Sequence, residues 1–174
     1  MDTILETDRL FLRRFTLNDS KLLLDLNSDP EVLKYIHELP LKSAEEATAI
    51  LQDIILPQYL RNLGRWAVHL KQTQEFIGWC GLKYLEENEE IDLGYRFFKK
   101  YWGNGYATES ASASLNLAQT KLNLSTIVGK AHLENIASQK VLEKIGMQYD
   151  KSDIIDNCPV KVYRSVAFLA SVVK

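Results

Sequence analysis

Two glycines, Gly103 and Gly105, interrupt the chain between a strand-like run at residues 91–98 (IDLGYRFF) and a small-residue helical run at residues 109–122 (ESASASLNLAQTKL). A strand that breaks into a Gly-x-Gly turn and at once starts a helix gathers unpaired backbone N–H groups in one concave place. The first N–H groups of a helix have no partner inside it, and the aligned peptide dipoles add partial positive charge there. The chemistry on offer is anion binding, with a phosphate or pyrophosphate as the natural guest. A Cβ at either glycine would oppose the tight turn or the close approach of a ligand. Lys99 and Lys100 adjoin the turn, either as solvated lysines at a strand end or as added attraction for phosphate groups. No Lys-Ser/Thr follows the turn, as it would in a nucleoside-triphosphate loop, and no third glycine stands at dinucleotide-fold spacing. Dinucleotide folds also open with their loop, whereas this one lies past the middle of the chain.

The stretch KKYWGNGYATES at residues 99–110 resembles the coenzyme-A pyrophosphate loop of the GNAT superfamily of N-acetyltransferases, whose pattern is Gln/Arg-x-x-Gly-x-Gly/Ala. Its YWGxGYATE form is similar to the branch named for the ribosomal-protein N-terminal acetyltransferases, the RimJ/RimL type. A second block, NIASQKVLEKIGM at residues 135–147, resembles that branch's Asn-x-x-Ser followed by a helix ending in Lys-x-Gly-Phe. With ETDRLFLRRFTLND at residues 6–19, the resemblance covers nearly the whole chain. Lys100 stands where the pattern prefers Gln or Arg, and Met147 where Phe is usual; neither disturbs the glycines.

The resemblance implies a GNAT fold of class α+β, one domain over residues 1–174, with a mixed, mostly antiparallel sheet of about seven strands and helices on both faces. The sheet is splayed in the middle, between the strands at 92–98 and 127–132, and the pantetheine arm of acetyl-coenzyme A fills the gap as a missing strand would. Phe97, Phe98, Lys100, Trp102, Gly103, Asn104, Gly105, Tyr106, Ala107, Asn135 and Ser138 are the implied contacts of this co-substrate. The implied reaction is direct acetyl transfer to a primary amine, a protein or peptide N-terminus; alternatives are a small-molecule amine or amino-acid acetyltransferase, or a coenzyme-A sensor or adapter without turnover. No metal is implied, and the chain would act as a monomer or homodimer.

Transfer from a thioester to an amine needs a neutral nucleophile, a stabilised oxyanion and a proton for the leaving thiolate. A thiolate of pKa about 8.5 already leaves readily, so orientation outweighs strong acid–base chemistry. Ser138, one turn into the helix after Asn135 and on the same face, is placed for the leaving-group end; the alternative is a first-turn serine bonded to backbone. Asn135 doubles as a helix cap. For the base, Asp92 is the first candidate, acting through a water. Glu90 is expected to point the other way, His132 ranks below Asp92 as a strand-end histidine, and solvent alone is the fourth option. Glu109 is expected to meet the helix dipole or bond locally. Main-chain N–H groups near Leu93 to Tyr95, with a bulge permitted at Gly94, are expected to polarise the carbonyl. Trp102 and Tyr106 flank the loop, while Tyr95 and the other nearby aromatics are core by default.

The elements that must hold these residues follow from periodicity. RLFLRRF at 9–15 alternates as a strand. Asn18 or Asp19 caps a helix, Asp29-Pro30 starts a short one, and Ser43 with Glu46 makes a capping box for a longer one. Pro57 kinks or ends that helix and Gly64 closes it. Residues 65–70 and 76–84 form a hairpin across KQTQE, and the acidic run at 86–90 is a solvated tip or an attraction for a cationic amine. Residues 126–132 form a strand with Gly129 as a bend, and the chain after Met147 forms two strands joined at Asn157-Cys158-Pro159, the second running through residue 170.

Composition bounds the rest. At 174 residues the chain holds one domain with a real core, and a hydrophobic fraction of 46% is ordinary. A net charge of −2 argues against a nucleic-acid partner. No apolar run approaches the ~20 residues that span a bilayer. The acidic start lacks the regions of a signal peptide, so the chain is expected in the cytoplasm. Cys80 and Cys158 are too few for a disulfide framework, and neither they nor His37 and His69 offer metal spacing.

Overall fold

The structure, a computed structural model, describes residues 2–166. Its strands are β1 (Thr3–Glu6), β2 (Leu10–Arg13), β3 (Gly64–Leu70), β4 (Phe76–Leu85), β5 (Glu90–Phe97), β6 (Val128–His132), β7 (Gln148–Ile155) and β8 (Cys158–Arg164). They form one sheet in the order β1-β2-β3-β4-β5-β6-β8-β7. The sheet has eight strands where the sequence suggests about seven, because TILE pairs antiparallel with β2 despite its brevity. All neighbours are antiparallel except β5 and β6.

That parallel pair is joined at a single register position, Asp92 opposite Val128. Beyond it β6 turns to β8, with which it pairs over its whole length, and the two central strands part as expected. The opening is a wedge whose β5 side is an unpaired sheet edge.

Helices cover both faces. α4 (Tyr106–Thr120) and α5 (Ile136–Lys144) lie on one face, over a core that includes Trp66, Cys80, Leu82, Leu93, Ala111 and Leu142. Small residues let α4 approach closely: Ser110, Ala111, Ser114 and Ala118 are fully buried. The two serines return their hydroxyls to carbonyls one turn back, which satisfies them within the helix, and Ser114 Oγ also lies 3.6 Å from Cys80 Sγ of β4. On the other face α1 (Ser20–Asn27), α2 (Pro30–Leu33) and α3 (Ala44–Ile50) pack around Phe15, Leu23, Leu26, Ala47, Leu51 and Phe76.

Several boundaries differ from expectation for local reasons. A 3-10 turn at Leu17–Asp19, with Thr16 at its N-cap, precedes α1; Asp19 stands at the N-cap of α1 as expected, but its carboxylate reaches back to the Thr16 amide at 2.7 Å instead of bonding the helix's own N–H groups. After α3 the chain continues as a π turn (Leu51–Ile55) and a 3-10 segment (Leu56–Arg61) containing Pro57, then stops at Asn62 in the left-handed region. Gly64 opens β3 instead of closing that segment. Gly129 makes no bend: it clears space for Leu142, whose Cδ2 would lie 2.6 Å from an added Cβ. The β7–β8 turn falls at Asp156-Asn157, both with positive φ, so Cys158 and Pro159 belong to β8. The expected continuation of the last strand through residues 167–170 lies outside the described residues.

Candidate active site

The turn between β5 and α4 is built from short-range bonds. A 3-10 turn at Lys99–Tyr101 follows β5. The Asn104 side chain donates to the carbonyls of Tyr101 and Trp102, at 3.2 and 3.1 Å. Gly103 and Gly105 take φ of 77° and 80°, and Gly105 caps α4. An L side chain is strained in that region, so glycine is what lets the loop close. Among the described residues, the amides from Gly103 through Thr108 donate to no protein acceptor, and the first intrahelical bond at this end is Glu109 N–H to the Gly105 carbonyl at 3.0 Å. Around Gly103 no heavy atom lies within 4 Å of where a Cβ would stand. This is an open cradle of free donors at the positive end of a 15-residue helix.

A bond that sequence spacing hides holds the cradle to the far edge of the sheet. Glu109 was expected to bond locally. Its carboxylate instead receives the Thr7 hydroxyl at 2.5 Å, the Arg9 amide at 3.1 Å and Arg9 Nε at 2.7 Å. Burial pushes the Glu109 carboxyl up, but these donors outweigh it and hold it below the ordinary range. Arg9 then lies over the Tyr106 ring at 4.6 Å and donates to the Asn104 carbonyl. It is the cation nearest the loop's own backbone, whereas Lys99 and Lys100 reach away to Glu31 and Glu75.

From the cradle the wedge runs along β5. The Phe98 amide bonds to Ile77 of β4 at 3.1 Å; by the alternation of an antiparallel ladder, Tyr95 and Phe97 therefore present their N–H and C=O groups to the gap. The expected donors near Leu93 to Tyr95 are thus shifted one step along. The β4–β5 ladder also runs unbroken through Gly81 opposite Gly94, so there is no bulge at Gly94. Its missing Cβ makes room for the Arg65 guanidinium, which an added Cβ would meet at 2.7 Å. The side chains of Phe97 and Phe98 go to the two opposite cores, so Phe97 can face the wedge only through its main chain. Trp102, 46% exposed, donates from Nε1 to the Phe97 carbonyl at 2.8 Å at the outer end.

At the wedge's inner wall Tyr95 meets Ser138. The phenol oxygen is 3.0 Å from Ser138 Oγ and donates to the Ser138 carbonyl at 3.0 Å. Asn135 caps α5 by accepting the Ser138 amide at 3.1 Å, so cap and serine are held as one unit. Burial drives the Tyr95 phenol far above its ordinary pKa, with the Ser138 hydrogen bond opposing that rise. Tyr95 is therefore a neutral donor at any physiological pH. The sequence marked it only as one aromatic among many, because its partner lies 43 residues away.

The base candidates are placed as follows. Asp92 Oδ2 is 2.5 Å from Arg65 Nη2, both side chains 14% exposed, while Oδ1 takes no protein donor among the described residues. Glu90 shares the face of Asp92, since residues two apart on a strand point the same way; the expectation that it points elsewhere is incorrect. It is engaged by Arg164 at 3.0 Å and Lys130 at 3.7 Å. His132 accepts the Glu134 amide at Nδ1 and stacks on Tyr35. A neutral ring in that tautomer carries its proton on Nε2 and has no free nitrogen to act as a base.

An amide cradle at a helix start, opening onto a wedge between two parting parallel strands, fits the acyl-coenzyme-A-dependent transferase that the motif resemblance implies. The comparisons agree: a profile of the acetyltransferase (GNAT) domain matches residues 9–148, and the chain belongs to that family. It is 34% identical over 145 residues to the uncharacterized N-acetyltransferase p20 of Bacillus licheniformis, covering 83% of this chain and 82% of that one. A crystal structure of a GNAT-family acetyltransferase from Bacillus anthracis superposes with a TM-score of 0.78 at 26% identity, over 94% of this chain and 98% of the other. RimL, a ribosomal-protein α-N-acetyltransferase in complex with coenzyme A, shares the fold at a TM-score of 0.82 and 17% identity, over 95% and 98% of the two chains. The protein is thus an acetyl-coenzyme-A-dependent acetyltransferase.

Proposed function

We propose that this enzyme, a single domain over residues 1–174, transfers the acetyl group directly to a primary amine, and that the amine is the N-terminus of a protein or peptide. The observation that carries the co-substrate half is the run of free amides from Gly103 through Thr108, continued by the unpaired main chain of Tyr95 and the unpaired N–H of Phe97, whose carbonyl Trp102 takes. The Gly103–Thr108 amides take the pyrophosphate, with Arg9 beside them, and Trp102 and Tyr106 flank its entrance. The Tyr95 and Phe97 main chain bonds the pantetheine arm in place of the missing strand.

At the reacting end, Ser138 hydrogen-bonds to the leaving sulfur. The sulfur departs as a thiolate stabilised by the Ser138 O–H, and Tyr95, which donates to the Ser138 carbonyl and lies 3.0 Å from Oγ, holds that hydroxyl in place. Asp92, fixed by Arg65, accepts the amine's proton through a water at Oδ1. The RimJ/RimL-like motifs support a protein N-terminus as acceptor.

The test is thiol release on mixing the purified protein with acetyl-coenzyme A and a panel of peptides and small amines. Release with N-terminal peptides supports the reading, and release with small amines alone refutes the peptide acceptor. Gly105→Val forces a β-branched residue into φ of 80° and places its methyls towards the cradle, so calorimetric binding of coenzyme A should be lost. Retained binding would remove the cradle from the account.

A further inference from the structure

Behind the wedge, on the face away from α4, lies an incompletely neutralised buried cation. Arg96 follows Tyr95 on β5 and so leaves the strand on the opposite face, among α1–α3. Its side chain is 8% exposed and its guanidinium lies 5.3 Å from the Trp79 ring, which Arg65 also approaches at 5.0 Å. Both of its hydrogen bonds leave from Nη1, to Asn27 Oδ1 at 2.5 Å and Glu38 Oε2 at 2.9 Å. Its Nε is buried and has no partner among the described residues. Arg65 next door is engaged through both terminal nitrogens, by the carbonyls of Gly81 and Asp92 and the carboxylate of Asp92.

A buried guanidinium is costly unless paired and fully hydrogen-bonded. The anion that Arg96 has is a poor one for the purpose. Glu38 is 56% exposed, and an exposed carboxylate contributes little to such a pair. It sits in the irregular stretch at residues 34–43, which crosses this side of the wedge. There Tyr35 stacks on His132 at the end of β6, and His37 Nδ1 lies 3.3 Å from the Asp156 carbonyl. Because α4 and α5 fill the other face, an acceptor amine reaches the wedge from this one.

We infer that Glu38 holds the place of a substrate carboxylate: the acceptor carries one near its amine, and it binds Arg96 through the end-on fork of Nη1, which Glu38 now occupies, and Nη2, which donates to no acceptor among the described residues. This rests on the acetyl-transfer reading above and narrows its acceptor. The carboxylate has two sources, an acidic side chain at a peptide's N-terminus or a free amino acid.

Matched pairs separate them. Initial rates, and calorimetric binding to the coenzyme-A-loaded protein, are compared for Asp-Ala-Ala-Ala amide against Asn-Ala-Ala-Ala amide, and for glycine against glycinamide. One carboxylate member should win by about tenfold or more, as a charge-assisted bidentate contact warrants; which pair shows it names the source. Arg96→Gln should abolish the preference, and Glu38→Gln should lower KM for the carboxylate several-fold. If Glu38 and Arg96 only brace the loop, Glu38→Gln lowers Tm and leaves selectivity unchanged. Should the Arg96 variant fail to fold, the Glu38 variant decides alone. Equal or absent signals for both members of both pairs, in rate and binding, overturn the inference; thiol release from other amines would still leave the acetyltransferase standing.

Discussion

Tyr95→Phe isolates the contact that the sequence does not reveal. The substitution removes one oxygen that lies 3.0 Å from both Ser138 Oγ and the Ser138 carbonyl, and keeps the ring. The Ser138 carbonyl sits in the first turn of α5, where a helical N–H also serves it, so no buried acceptor is orphaned. The stability cost is then that of one net hydrogen bond, about 1 kcal/mol, or a fall of about 2–4 °C in Tm for a chain of this size. The catalytic cost is larger if the pair holds the Ser138 hydroxyl on the departing thiolate: kcat should fall about 10²-fold or more, with KM for acetyl-coenzyme A within about twofold. Ser138→Ala should fall similarly, and the double variant should fall little further than either single one, because residues that act as a unit are not additive. Steady-state thiol release for the four proteins, with thermal melts alongside, makes the measurement. An unchanged kcat accompanied by the expected loss of Tm would reduce Tyr95 to a structural brace. Strictly additive losses would separate the two hydroxyls.

Asp92→Asn should cost about 3 kcal/mol, since it leaves Arg65 buried and unpaired, and should abolish the acidic limb of the pH–rate profile, where a base must lose its proton to work. An unshifted limb with an unchanged rate would take Asp92 out of the mechanism. Burial raises the phenols of Tyr59 and Tyr95 above the ordinary tyrosine value, so the folded chain keeps protons that the unfolded chain releases above pH ~10. Stability to urea should therefore be flat to about pH 9 and then decline by up to ~1.4 kcal/mol per pH unit for each such tyrosine; a urea midpoint constant through pH 11 would contradict this. Gly129→Ala should cost about 1–3 kcal/mol by overpacking against Leu142 and Met147, and a melt at the wild-type temperature would show that Leu142 yields freely.

What could be read from the sequence, and what could not, divides by the range of the interactions. The cradle is made by residues 103–108 alone, and its cause is local: two positive φ angles and the start of a helix. Types and spacing are enough to state it. The parting of β5 from β6 came from the resemblance, and the structure expresses it as a single paired position. Features that depend on pairings distant in sequence were out of reach. The Glu109 carboxylate has a helix dipole on hand and a better partner 100 residues away, in Arg9; three donors outweigh a partial charge. Gly94 likewise invited a bulge, yet its absent side chain serves an arginine two strands over.

The same division explains why the acceptor is the hard part. The proposed coenzyme-A contacts are mostly main chain, whose geometry a short motif encodes. The proposed acceptor contacts are side chains on β4, β5 and the loop at 34–43, which no motif joins. Trp79, Arg96 and Glu38 look like a core aromatic, a strand cation and a surface acid when taken singly. In the proposed site they act together because Gly94 lets Arg65 reach across β4 onto β5 and satisfy Asp92. That leaves Arg96 as the cation beside the wedge whose exposed partner a substrate carboxylate can displace.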